Sequence, residues 1–148
     1  DIVTSVQEGY KLTIILMDNN GYKSIGALSR SLGSQGFGTR YVFPENDRLP
    51  DDTAELVRTL PVDLAANASS LGAHVIRCER YEEFLTALKT AKGVERTTVI
   101  YIQNDRYVGV PGYESWWDVA IAEVSEIDTV KAARAEYEQA VQKERYFL

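Results

Sequence analysis

The tetrapeptide Asp18-Asn19-Asn20-Gly21 follows an apolar run, Leu12 to Met17, and precedes a helical pattern. An acid, two amides and a glycine at such a junction can do two things. They can make a turn, since Asn, Asp and Gly are the residues that turns use. They can also hold a ligand. In an open parallel sheet, ligands lie beyond the carboxyl ends of the strands. The start of the next helix presents free backbone N–H groups, which favour anions. An amide oxygen and a backbone carbonyl are hard ligands, suited to Mg2+ that keeps phosphate oxygens in its shell. The residue types therefore admit a metal–diphosphate site as well as an ordinary turn.

Other chemistry-bearing residues point to less. Gly33, Gly36 and Gly38 do not have the spacing of a dinucleotide fingerprint or a Walker loop. They read as a mobile loop or as a lid. His74 opens a short apolar run and reads as a core or edge histidine. Cys78 reads as a small buried apolar group. One His and one Cys cannot build a zinc site, and a single Cys excludes an internal disulfide. Neither Ser nor Cys sits in a nucleophile elbow. Asn67-Ala68-Ser69 matches a glycosylation acceptor but falls inside a helical pattern. The adjacent Trp116 and Trp117 read as packing or an oligomer interface.

The totals narrow the classes. Sixteen basic and 22 acidic residues leave a net charge of −6, without the basic face that nucleic-acid binding requires. No apolar run is long enough to span a bilayer. No basic-then-apolar leader opens the sequence, and a reducing, cytoplasmic location is expected. The sequence opens at Asp1 inside a helical pattern, so it is expected to be a piece of a longer protein.

The elements that must position these residues alternate along the chain. Ile2, Val3 and Val6 share one helical face, stopped by Gly9. Leu12–Met17 reads as a strand buried on both faces. Ile25, Leu28 and Leu32 follow at helical spacing, closed by Gly33. Residues 33–52 read as a long loop with one extended piece at Arg40–Phe43. A helix with Asp63 near its start and Gly72 at its end comes next. Then follow a strand at Ala73–Cys78, an amphipathic helix with Phe84, Leu85 and Leu88 inward, and a β-branched strand at Thr97–Gln103. This order predicts an α/β domain: a three-layer parallel sheet with helices on both faces, plus a C-terminal appended helix. Ser125 and Asp128 resemble a capping box for that last helix, with Val130, Ala133, Tyr137 and Val141 on one face.

With the elements placed, the motif resembles a known one. A strand ending in an acid or Asn, then Asn, any residue, Gly and an aromatic is similar to part of the signature of thiamine diphosphate-dependent enzymes. The helix in "VDLAANASSLGA" is similar to one in their diphosphate-binding domain. "GYESWWDVAIAEVS", "SQGFGTRY" and "DIVTSVQEGYKL" resemble trihydroxycyclohexanedione hydrolases of inositol breakdown. The resemblance implies thiamine diphosphate and Mg2+ as cofactors. Asn19 would be a metal ligand through its side-chain oxygen and Gly21 through its carbonyl, with Tyr22 as the aromatic beside the cofactor. It implies C–C cleavage that opens a cyclic dione, with water completing the step. It assigns no acid or base among these residues, so none is named as catalytic.

The pattern also departs from the family. The upstream Gly-Asp-Gly turn is absent, and Lys23 stands where relatives often carry a small residue. One metal ligand, the Asp of that upstream turn, would come from the absent first strand, and the activating Glu from a missing N-terminal pyrimidine-binding domain of the same protein. On this reading residues 1–110 are a partial diphosphate-binding domain lacking its first strand, and residues 111–148 are a C-terminal extension. The parent is expected to be a homo-oligomer, and the piece alone inactive. The alternatives are another thiamine diphosphate enzyme, a carboligase or decarboxylase, or a non-catalytic α/β regulatory module.

Overall fold

The computed structural model describes residues 1–36, 38–45, 57–110 and 116–145. Along them run α1 (Ile2–Gln7), β1 (Thr13–Asp18), α2 (Lys23–Ser31), α3 (Leu64–Ser70), β2 (His74–Cys78), α4 (Tyr81–Gly93), β3 (Thr98–Gln103) and α5 (Asp128–Val141). The order is the one the hydropathy pattern predicts. The strands form one parallel sheet, ordered β1-β3-β2. Asp18 lies opposite Gln103 on one side of β3, and Cys78 opposite Ile102 on the other. All three carboxyl ends therefore share one edge of the sheet.

The chain divides into two compact units, Asp1–Asn20 with Pro61–Arg106, and Gly21–Leu60 with Tyr107–Leu148. The first holds the sheet, with helices on both faces. On one face Cys78, Ala87, Ala91 and Ile100 are buried, with Ile76, Phe84 and Leu88 packed against them. On the other, Ala68, Ala73 and Val99 are buried, with Ile2, Ile14, Leu16 and Val75 around them. Alanines at Ala87 and Ala91, one helical turn apart, let α4 approach the sheet closely. Burial of Val99 and Ile100 on the central strand contributes on the order of 1.5–3 kcal/mol each.

Three expectations are corrected here. β1 is not buried on both faces: Ile14 and Leu16 are half-buried, but Ile15 and Met17 are 47% and 62% exposed. The cause is position, because β1 is an edge strand and α4 packs on β2 and β3. On α1 the buried residue is Ser5, while Val3 and Val6 are exposed. Ser5 Oγ lies 2.7 Å from the buried Thr97 Oγ1, so a polar pair occupies that place. Leu85 is also exposed, because it borders the stripe formed by Phe84, Ala87, Leu88 and Ala91.

In the second unit the piece at Arg40–Phe43 is extended, as expected. The Phe43 N–H donates to the Arg58 carbonyl and the Leu60 N–H to the Tyr41 carbonyl, each at 2.8 Å. The C-terminal end of α2 meets the start of α5, where Thr129 Oγ1 donates to the Gly33 carbonyl at 2.6 Å. On α5 Val130 is buried and Ala133 and Tyr137 half-buried, as the spacing predicts, but Val141 at the end of the same face is exposed. The capping box does not form. Ile127 is the N-cap, its N–H donates to Ser125 Oγ at 3.1 Å, and Asp128 pairs instead with Lys131 at 3.3 Å. Among the described residues no helix is long and apolar enough to cross a membrane.

Candidate functional site

The first unit holds the end of β1 in detail. Asp18 is 5% exposed, and both its carboxylate oxygens are engaged. Oδ1 accepts the Asn20 N–H at 2.8 Å, the bond of an Asx turn. Oδ2 accepts the Tyr101 hydroxyl at 2.8 Å, and the Asp18 carbonyl accepts the Asn104 N–H at 2.9 Å. Arg106 is 8% exposed, and its Nη1 donates to the carbonyls of Asn19 at 2.9 Å and Asn20 at 3.4 Å. Asn20 itself takes φ 56°, a left-handed conformation that Asn tolerates. Burial, then the hydrogen bond to Asp18, pushes the Tyr101 pKa up to about 12. Tyr101 is therefore a neutral donor at ordinary pH. Its ring faces the Arg77 guanidinium at 5.3 Å, and Arg77 in turn pairs with Asp63 at 2.6 Å.

The second unit begins at Gly21, with φ 148°. A Cβ there would collide with the Thr39 carbonyl oxygen and lie 2.8 Å from the Arg40 Cα. Only glycine lets the chain pass this close. Next to it the Tyr22 N–H donates to the Thr39 carbonyl at 2.8 Å. Tyr22 is the N-cap of α2, with no side-chain cap and no acidic residue in the first turn. Its ring, 55% exposed, meets Tyr41 edge-on at 5.8 Å. Lys23 Nζ donates to the Val108 carbonyl at 2.8 Å.

Of the candidates singled out in the sequence, Asn19 thus belongs to the first unit, and Gly21 and Tyr22 begin the second. Sequence reasoning missed Tyr101, Asn104 and Arg106, which stand on β3 or just past it. Their signal was weak: a single tyrosine in a β-branched strand and a polar Asn-Asp-Arg run after it. Cys78 lies in the apolar core, and burial raises its pKa. Trp116 stacks on Tyr137 at 6.5 Å, while Trp117 is exposed. Tyr113, Glu114 and Ser115 of the tryptophan segment lie outside the described residues.

Residues 1–102 match the family model described as "Thiamine pyrophosphate enzyme, C-terminal TPP binding domain". The chain belongs to this family. The chain is also 33% identical over 147 residues to 3D-(3,5/4)-trihydroxycyclohexane-1,2-dione hydrolase 2 of Bacillus cereus. That match covers 99% of this chain and 22% of the relative. Hydrolase 1 of the same organism is 34% identical over 133 residues, covering 90% of this chain and 20% of its own length. A relative of the same name from Bacillus thuringiensis (strain Al Hakam) is 35% identical over 134 residues, with the same shares. The chain therefore spans about a fifth of the length of these curated relatives.

Taken unit by unit, the residues present are compatible with part of a metal–diphosphate site. Among the described residues no cluster of three His, Cys, Asp or Glu could hold a metal. The Asp18 carboxylate is bound to the turn and to Tyr101. A cation at this turn would meet neutral amide and carbonyl oxygens, so a carboxylate ligand of the kind Mg2+ usually takes would have to be supplied by other residues. The α2 N-terminus carries no acidic side chain to repel an anion.

Proposed function

We propose that this chain is the diphosphate-binding part of a thiamine diphosphate- and Mg2+-dependent hydrolase that opens the ring of a trihydroxycyclohexanedione in inositol breakdown. Asn19 ligates Mg2+ through its side-chain oxygen and Gly21 through its backbone carbonyl, and Tyr22 lies beside the cofactor. The remaining metal ligand comes from the Asp of a Gly-Asp-Gly turn on the strand before β1, and the activating acid from an N-terminal pyrimidine-binding domain of the same protein. Residues 1–110 serve as the partial cofactor domain and residues 111–148 as its extension, in a cytoplasmic homo-oligomer.

When bound, the cofactor supplies the electron sink for breaking a C–C bond beside a carbonyl. This chain's residues anchor its diphosphate end. The Asp18–Asn20 hydrogen bond sets the turn, and the glycine at position 21 brings the backbone close. Fixed ligand geometry is what a metal site of this kind requires.

The observation that carries the dione specificity is the reach of the similarity. The family model stops at residue 102, whereas the match to the dione hydrolase runs over 99% of the chain. The segment past residue 102, with its tryptophans, thus aligns with proteins named for that activity. The test is to incubate the purified full-length parent with thiamine diphosphate, Mg2+ and the cyclic dione, and to measure the ring-opened acid. The expected result is cofactor-dependent ring opening, and none from the 148-residue chain alone. Turnover of 2-oxo acids with no attack on the dione would replace this reading with a carboligase or decarboxylase.

A further inference from the structure

One peptide unit in the first domain unit is gripped at both edges. In the bond joining Asn19 to Asn20, the carbonyl faces the Arg106 guanidinium at 2.9 Å. The N–H of the same unit faces the Asp18 carboxylate at 2.8 Å. A cation thus holds the negative edge of the peptide dipole and an anion the positive edge. Arg106 also reaches the next carbonyl, that of Asn20, and Tyr101 braces the far oxygen of Asp18. Both braces, Tyr101 and Arg106, come from β3 or from the residues just after it. A guanidinium only 8% exposed is costly to desolvate, and the carbonyls offset part of that cost. Both carbonyls accept from the same nitrogen, Nη1, and the guanidinium plane holds that nitrogen in a fixed direction.

We infer that Arg106 is a positioning residue for the metal–diphosphate site: it fixes the backbone from which the Asn19 side chain projects. The inference rests on the role proposed above for Asn19. It has a consequence that stability alone does not share. Mg2+ demands near-ideal octahedral geometry at about 2.0–2.1 Å, whereas Ca2+ accepts irregular shells at about 2.3–2.6 Å. Slackening the turn therefore penalises Mg2+ more than Ca2+. A purely electrostatic role for Arg106 would instead shift both dications alike, and removing its charge would favour both.

The experiment uses the full-length protein, stripped of cofactor, with thiamine diphosphate binding followed by calorimetry in Mg2+ and separately in Ca2+. Arg106→Met is expected to raise the Kd at least about tenfold in Mg2+, the scale on which residues that orient metal ligands act. In Ca2+ the rise is expected to stay below about threefold, given its tolerant shell. Arg106→Lys is expected to recover part of the Mg2+ affinity. If Arg106→Met does not fold, Tyr101→Phe releases the Asp18 side of the clamp and is expected to give a smaller shift in the same direction. Equal factors in the two metals, or no change in either, would overturn the role of Arg106. A wild-type protein that binds the cofactor without needing a dication would overturn the reading beneath it instead.

Discussion

Replacing Gly21 with alanine tests the path of the chain at the candidate site. The glycine has φ 148°, and its Cβ would meet the Thr39 carbonyl oxygen and the Arg40 backbone rather than a flexible side chain. The two segments must separate by roughly an ångström to reach ordinary van der Waals distance. Holding a non-glycine residue in such a conformation costs about 1–3 kcal/mol. Loosening the Tyr22 N–H bond to the Thr39 carbonyl removes about 0.5–1.5 kcal/mol more. A loss of about 2–4 kcal/mol lowers Tm by about 5–15 °C for a chain of this size. Gly9→Ala is the matched control, since Gly9 has φ 70° and nothing within 4 Å of its Cβ. It carries only the left-handed penalty of about 1–2 kcal/mol. Thermal unfolding followed by circular dichroism compares the two. Equal shifts would refute the steric argument. In the full-length parent, Gly21→Ala is further expected to abolish Mg2+-dependent cofactor binding although the carbonyl remains.

The other predictions concern single groups. Asn19→Ala in the full-length parent is expected to raise the thiamine diphosphate Kd in Mg2+ more than about tenfold; wild-type affinity and turnover would remove Asn19 from the ligand set. Thr97→Val keeps the shape of a fully buried residue but strips partners from the Leu12 N–H, the Tyr10 carbonyl and Ser5 Oγ. It is expected to cost about 1–3 kcal/mol in denaturant unfolding, and a neutral result would show that those groups find other partners. Asp63 is held below its ordinary pKa of 3.8, first by the Ala66 N–H and then by Arg77. Its stabilising contribution is therefore present above pH 3.8 and lost as pH falls through the lowered folded-state value. Asp63→Asn keeps an N-cap acceptor and is expected to flatten the acid limb of the Tm–pH profile, with wild type and variant converging at the lowest pH.

The elements were legible in the sequence because each is written locally. Thr97–Gln103 is rich in β-branched residues, and Phe84, Ala87, Leu88 and Ala91 repeat at helical spacing. What depends on strand order was not legible. That Ile15 and Met17 face solvent follows from β1 being an edge strand, which no pattern within β1 encodes. Ser5 escaped for another reason: a hydroxyl reads as a surface group until its partner, 92 residues away, is brought beside it. The supports of the candidate site escaped in the same way, since Tyr101 and Arg106 meet the turn across 83 and 87 residues.

Turn and ligand site were rival readings of one tetrapeptide, and the structure divides the turn's work among particular atoms. Asp18 and the Asn20 N–H make the turn, Tyr101 braces it, and Arg106 takes the carbonyls of Asn19 and Asn20. The Asp18 side chain is thus accounted for by turn chemistry. On the function proposed above, the ligands are the Asn19 side-chain oxygen and the Gly21 carbonyl, both neutral. Two substitutions separate the roles. Asn19→Ala deletes a ligand and is expected to weaken binding in Mg2+ and in Ca2+ alike. Arg106→Met deletes only the brace and is expected to weaken binding chiefly in Mg2+, whose shell tolerates misplacement least. Matching metal profiles for the two variants would mean that the clamp and the ligand are not distinct.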